Sequence, residues 1–238
     1  TYPAEKAVVL DANNQLVLSE DATINGLTVG TGANSVATNT ALGVTALTAN
    51  TTGSSNVGVG YQALLYNTTG SNNIVIGYRA QRNSTSNSVV VGWEAGYFNT
   101  ANNIVFIGPR AGYRNTGSDN TAVGSSASQE NTSGSYNTAL GKQTLFSNTT
   151  ASNNTAIGYK SLYFNTTTSN NTAVGYQSLY NNTASNNTAV GYYAAYSNTT
   201  GANNVAVGYQ ALFDNTTGSN NTALGYTALA NNTTANSN

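Results

Sequence analysis

Asn171-Thr172-Ala173-Val174-Gly175-Tyr176-Gln177-Ser178-Leu179-Tyr180-Asn181-Asn182-Thr183 is one copy of a unit that recurs, with drift, from about Asn39 to the last residue. A fixed short period decides an architecture before any single residue is weighed. The most constant mark of the unit is a glycine that follows a small residue and a branched aliphatic. It falls at Gly43, Gly60, Gly77, Gly92, Gly108, Gly124, Gly141, Gly158, Gly175, Gly191, Gly208 and Gly225, in steps of 15, 16 or 17 residues, mostly 17. Positions are counted below from this marker glycine. Position −1 is aliphatic in all twelve copies, from Leu42 to Leu224. Position −2 is small except at Val75, Val90 and Phe106, and position +3 is Ala, Ser or Thr throughout. Position +7 is Asn in every copy but the third, where Asn83 comes one place early.

The unit reads as one rung of a stack. Asn-Thr-Ala-Val is a short strand with Thr and Val on one face and Ala on the other. The glycine allows a tight bend or a close backbone approach. The next four or five residues form the second side, and Asn-Thr-Thr-Gly-Ser-Asn returns the chain as a turn. Rungs spaced at roughly 4.8 Å would give a rod roughly 55 to 60 Å long. Vertical stacking of like residues would set Asn and Thr into hydrogen-bonded ladders. The expected fold is therefore all-β, a repeat β-solenoid or parallel β-roll of about 12 rungs of 15–17 residues covering 31–238. Gly60, Gly77, Gly158, Gly175, Gly191, Gly208 and Gly225, with Asn67, Asn165 and Asn215, are the positions expected to hold the repeat. A helical solenoid is excluded by the short unit and its Gly and Asn-Thr content.

Residues 1–30 depart from the period. Apolar runs at 7–10 and 15–18 flank an Asp/Asn turn and predict two short strands, while 24–30 reads as a leading half-repeat. The segment is expected to connect the array to something upstream. The chain starts at Thr1 and stops within a turn at Asn238, and reads as part of a longer one.

Composition narrows the function classes. Charged residues are 6% of the chain and net charge is −1, which points neither to nucleic acid nor to an anionic membrane. Histidine, cysteine and methionine are absent, so no disulfide, no Cys or His metal site and no His- or Cys-based catalysis is expected. No apolar run is long enough to span a bilayer, and no cofactor is expected. A rung of about 16 residues encloses a thin core, which favours association of identical chains around a common axis, in closed symmetry.

The motif Asn-Thr-Ala-Val-Gly, two variable residues, then Ala resembles the head repeat of trimeric autotransporter adhesins. With Tyr after the glycine and Asn-Thr-Thr-Gly closing the loop, as in 171–183 and 204–217, it is more similar still to the repeats of phage tail fibres and related viral fibres. The resemblance covers 31–238. It implies a homotrimer of parallel β-rolls, intertwined or side by side. It further implies a rigid shaft on a virion or outside a cell, without enzymatic activity, with host-surface attachment as a second role. Partners would be two further copies, a host cell-surface glycan, or other fibre proteins. The alternative is a bacterial adhesin head. An ice-binding solenoid or a polysaccharide-cleaving tailspike fits less well, because the Thr columns are interrupted and Glu94, Asp119, Glu130 and Asp214 occupy scattered places in the repeat.

Two sets of residues compete for a binding role. Tyr61, Tyr78, Tyr159, Tyr176, Tyr192, Tyr209 and Tyr226 follow the marker glycine, with Trp93 in the same column; Tyr97, Tyr113, Tyr163, Tyr180 and Tyr196 stand four places on. Such rows suit sugar stacking, but a periodic row is explained more simply by rings packing on one another. Local departures single out 77–130, where Trp93 and Pro109 replace the tyrosine and Phe106 is bulky where Ala is usual; Arg79, Arg82, Trp93, Glu94, Arg110 and Arg114 form the candidate surface contact, with Asp119 and Glu130 nearby. Drift for solubility is the competing explanation. The Asn-Thr-Thr triplets at Asn50, Asn67, Asn148, Asn165, Asn198, Asn215 and Asn232 match a glycosylation acceptor, but their recurrence with the fold points to a turn requirement.

Overall fold

A computed structural model describes residues 22–24, 27–83 and 85–238. The strands expected at 7–10 and 15–18 lie outside these residues. Among the described residues one sheet runs the length of the molecule, its strands neighbouring one another in chain order. The strands are β1 (Ala22–Ile24), β2 (Leu27–Gly30), β3 (Thr40–Leu42), β4 (Val57–Val59), β5 (Ile74–Ile76), β6 (Val89–Val91), β7 (Val105–Ile107), β8 (Thr121–Val123), β9 (Thr138–Leu140), β10 (Thr155–Ile157), β11 (Thr172–Val174), β12 (Thr188–Val190), β13 (Val205–Val207) and β14 (Thr222–Leu224). From β3 to β14 every pairing is parallel and column matches column, as in Thr155↔Thr172, Ala156↔Ala173 and Ile157↔Val174. The chain is a β-solenoid, with one parallel strand ending at each marker glycine.

The strand is short because only its middle residue faces in. Position −2 is buried from β3 to β14, while positions −3 and −1 are at least partly exposed. The chain then turns at a glycine whose φ is +139° at Gly175 and +125° at Gly60. A Cβ on Gly60 would lie 2.6 Å from the carbonyl oxygen of Gly77 in the next coil. Both facts demand glycine: the left-handed φ and the coil-to-coil backbone approach.

The second side of the coil is not a strand. Positions +2 and +4 adopt positive φ, at Gln177 (51°) and Leu179 (49°) and likewise in the other copies. An L-residue there costs about 1–2 kcal/mol, and the cost is offset by backbone bonding between coils. The Gln177 amide donates back to the Tyr159 carbonyl at 2.9 Å. The Leu179 and Asn181 amides donate forward to Ala194 at 3.0 Å and Tyr196 at 3.2 Å. This alternation of direction satisfies the backbone without a β-ladder.

The core is a thin column between the two sides, built from positions −2, +3 and +4. Leu47, Leu64, Leu145, Leu162, Leu179 and Leu212 at +4 are its largest regular members. In the middle coils the volumes exchange sides. Phe106 replaces the small residue at −2 and is fully buried, and Gly96 and Gly112 replace leucine at +4. A Cβ on Gly112 would stand 2.5 Å from Cζ of Phe106. Phe106 is thus a core residue, and its departure from the repeat is a packing exchange instead of a surface feature.

Two asparagine columns hold the turn. At +7, Asn148 Nδ2 donates to Asn131 Oδ1 at 2.6 Å and to the Ala151 carbonyl at 3.1 Å, and Asn215 donates to Asn198 Oδ1 at 2.7 Å. At −4, Asn154 Oδ1 accepts the Asn171 amide at 3.0 Å, and Asn187 Oδ1 accepts the Asn204 amide at 2.9 Å. A threonine column at +8 adds Thr149 Oγ1 to the Thr166 carbonyl at 3.0 Å. Asn50, Asn67, Asn148, Asn165, Asn198 and Asn215 are fully buried, and each uses Nδ2 as a donor inside the turn.

The first edge of the array differs from the half-repeat expected at 24–30. β2 runs antiparallel to β3, with Val29 opposite Leu42 and Gly30 opposite Ala41, and β1 pairs antiparallel with β2. A reversed strand closes one side of β3 and ends the parallel register there.

Candidate functional site: the aromatic and cationic side

The second side carries the chemistry. Positions +1, +2 and +5 point outward on the limb opposite the sheet, since −2 and +4 meet across the core. A rung spacing close to ring thickness stacks aromatic columns face to face. At +1, Tyr159, Tyr176, Tyr192, Tyr209 and Tyr226 form a continuous pile with centroids 5.1–5.3 Å apart. At +5, Phe146, Tyr163, Tyr180, Tyr196 and Phe213 do the same at 5.2–5.5 Å. Ring faces inside these piles are covered by their neighbours, and edges and hydroxyls face outward. Sugar stacking on the periodic rows is therefore confined to places where a pile is interrupted.

Tyr193 wedges edge-on between the piles, against Tyr176, Tyr192 and Tyr196. Desolvation, then hydrogen bonding to Tyr192, pushes its hydroxyl up to about 12. Desolvation also raises Tyr180, opposed by the charge of Lys160. The Lys160 ammonium lies 5.4 Å from the Tyr159 ring and 5.2 Å from the Tyr163 ring. Desolvation alone would lower it, but the Tyr159 hydroxyl and nearby phenols leave it above its ordinary value.

At segment 77–130 the piles shrink to single pairs, Tyr61 on Tyr78 at 5.2 Å and Tyr97 on Tyr113 at 5.4 Å, and most of the repeat's charge gathers there. Arg110 Nε bonds Glu94 Oε2 at 3.1 Å, and its guanidinium lies 4.8 Å from the Trp93 ring and 5.1 Å from Tyr113. Arg114 Nε pairs with Glu130 Oε2 at 3.2 Å. Arg79 lies 5.8 Å from Tyr78 and 5.4 Å from Tyr97, and its Nε donates to Gln62 Oε1 at 3.2 Å. Arg82 lies 4.7 Å from Tyr66 and 5.0 Å from Tyr97 and donates to both hydroxyls, to Tyr66 at 2.8 Å.

The structure thus sorts the six candidate residues. Trp93, Glu94 and Arg110 form one neutral cluster, and Arg114 forms another with Glu130. Arg79 and Arg82 form a third around Tyr97 with no carboxylate among the described residues. Asp119 lies elsewhere, accepting from Asn103 Nδ2 at 3.1 Å. Tyr66 was not singled out from the sequence; its only signal is an aromatic directly before Asn67, repeated at Phe98 and Phe164.

The same place is where the repeat fails. Only 15 residues separate Gly77 from Gly92. Asn83, one place early, donates to the Asn99 carbonyl at 3.2 Å instead of continuing the Asn67 column. Among the described residues Asn67 Oδ1, Gln81 Oε1 and Arg82 Nε are buried and have no hydrogen-bond partner.

Among the described residues no helix is long and apolar enough to cross a membrane. No family model, no curated protein and no solved structure matches this chain, so the solenoid and its side-chain geometry carry the functional reading.

Proposed function

We propose that the chain is a shaft segment of a trimeric fibre, borne on a virion or outside a cell, holding an attachment surface away from its anchorage. The observation that carries this reading is the outer face of the sheet. Position −1 presents Leu42, Ile76, Ile107, Leu140 and Val190 to solvent, each 36–45% exposed, in one column along the whole array. Position −3 adds Ile74 and Val205. An apolar stripe of this length is a site of association. Its occupant is a second and third copy of the chain, because a parallel copy in register meets the same residue type at every rung and closed symmetry uses each stripe fully. The resemblance to viral fibre and adhesin-head repeats sets the number at three. Backbone bonding from coil to coil along the axis suits a spacer that must not bend. The test is native mass by light scattering after size exclusion, with electron microscopy of the same fraction. The expected result is a mass three times the 24.5 kDa chain and straight, unbranched rods. A stable monomer overturns the fibre reading.

A further inference from the structure

We infer that Arg79 and Arg82 form a binding site for a carboxylated sugar of a surface polysaccharide. The inference rests on the attachment role proposed above and gives that role a ligand class and an address. The two cations leave one coil three residues apart and converge on one ring, 5.4 and 5.0 Å from the centroid of Tyr97. Arg110 and Arg114 each have a carboxylate at hydrogen-bond distance; Arg79 and Arg82 have none among the described residues. Among the described residues Arg79 commits only Nε, to Gln62, and neither terminal nitrogen has a partner. Arg82 commits one N–H from each terminal nitrogen to a phenol, Tyr97 and Tyr66. Two adjacent guanidiniums with no carboxylate at ion-pair distance among the described residues repel each other and attract an anion. Their planar forks match a carboxylate better than an ammonium does.

The surroundings favour a sugar over a free anion. Tyr66, Tyr78 and Trp93 are 52%, 45% and 46% exposed around the pair and supply apolar surface for the C–H face of a pyranose. Tyr78 stacks on Tyr61 but, among the described residues, on no ring of the following coil, and Tyr66 belongs to neither pile, so part of their ring surface is left for a ligand. The coil is also the shortest of the array, and around it, among the described residues, lie a break in the asparagine column and three buried orphan atoms, Arg82 Nε among them. Local violations of a regular pattern mark places where function outweighs stability. The site lies across the core from the outer face of the sheet, so assembly through that face leaves it open.

The experiment is calorimetric titration of the full chain at low salt with tetragalacturonate, its methyl ester, maltotetraose and inorganic sulfate. Tetragalacturonate should bind, with ester, neutral sugar and sulfate weaker by at least about tenfold. Arg79→Gln and Arg82→Gln should each weaken binding on the order of tenfold. Both place a residue that the same columns already use, at Gln177 and Gln129, so folding is preserved. Arg114→Ser, which removes an already paired cation, should leave binding unchanged. Absence of binding, equal binding of the ester, equal binding of sulfate, or indifference to both glutamine substitutions overturns the site. Light scattering on the same samples separates the two readings. A trimer that does not bind removes the site and keeps the fibre, and a monomer that binds does the reverse.

Discussion

Asn148 shows how one side chain holds this fold. It donates to Asn131 and to the Ala151 carbonyl and accepts from Asn165 Nδ2 at 3.4 Å, all out of contact with water. Removing it strands Asn131 Oδ1, whereas the Ala151 carbonyl keeps Asn137 Nδ2 and Asn165 Nδ2 keeps the Thr168 carbonyl; a buried orphan costs about 1–3 kcal/mol. Asn148→Ala should therefore destabilise the chain by about 1–3 kcal/mol in urea unfolding. Thr149→Ala removes a single exposed bond to Thr166 and should cost below about 1 kcal/mol. Equal losses would deny the asparagine column its role. The period of the sequence singles out this column and points both to a hydrogen-bonded ladder and to turn conformation. The structure divides the work. Asn at +7 serves as a buried ladder, whereas left-handed backbone in the turn falls at −5, on Asn72, Asn153, Asn170 and Asn220. Residue type alone does not separate the two uses, because asparagine suits both.

At the scale of the element, strand and second side differ in how far sequence reaches. The strand was legible because alternation of Thr, Ala and Val has period two and each side chain meets its own kind in the next rung. The second side was not. Leu162 and Leu179 in left-handed conformation contradict local preference, and only the bonds to neighbouring coils make that backbone favourable. The exchange of Phe106 with Gly96 and Gly112 gives a test of packing across the two sides. Phe106→Ala should cost about 3–5 kcal/mol by opening a cavity. Gly112→Leu alone should also destabilise, since even a Cβ meets the Phe106 ring. The double substitution recreates the Ala-and-Leu pattern of the other coils. It should be more stable than the sum of the single changes predicts, by roughly 1–3 kcal/mol in a double-mutant cycle. Additive effects would mean that the two sides pack independently.

For the whole molecule, the outer face of the sheet is the decisive surface. Substituting Ile76→Lys, Leu140→Lys and Val190→Lys together places three cations on outward positions that contribute nothing to the inner core. The triple variant should keep its far-ultraviolet circular dichroism and fall to the mass of one chain. A variant that remains trimeric would move the interface to another face.

The sequence by itself determined the period, the strand at each glycine, the parallel stacking in register and the asparagine and threonine columns. Each rung touches only its neighbours, so a repeated pattern states its own contacts. Tertiary structure alone decided four things: the left-handed second side, the antiparallel strand at the first edge, the burial of Phe106, and the division of arginines into those with a carboxylate and the pair around Tyr97. These depend on which groups face each other across the core or between coils, and spacing along one chain does not record that distance.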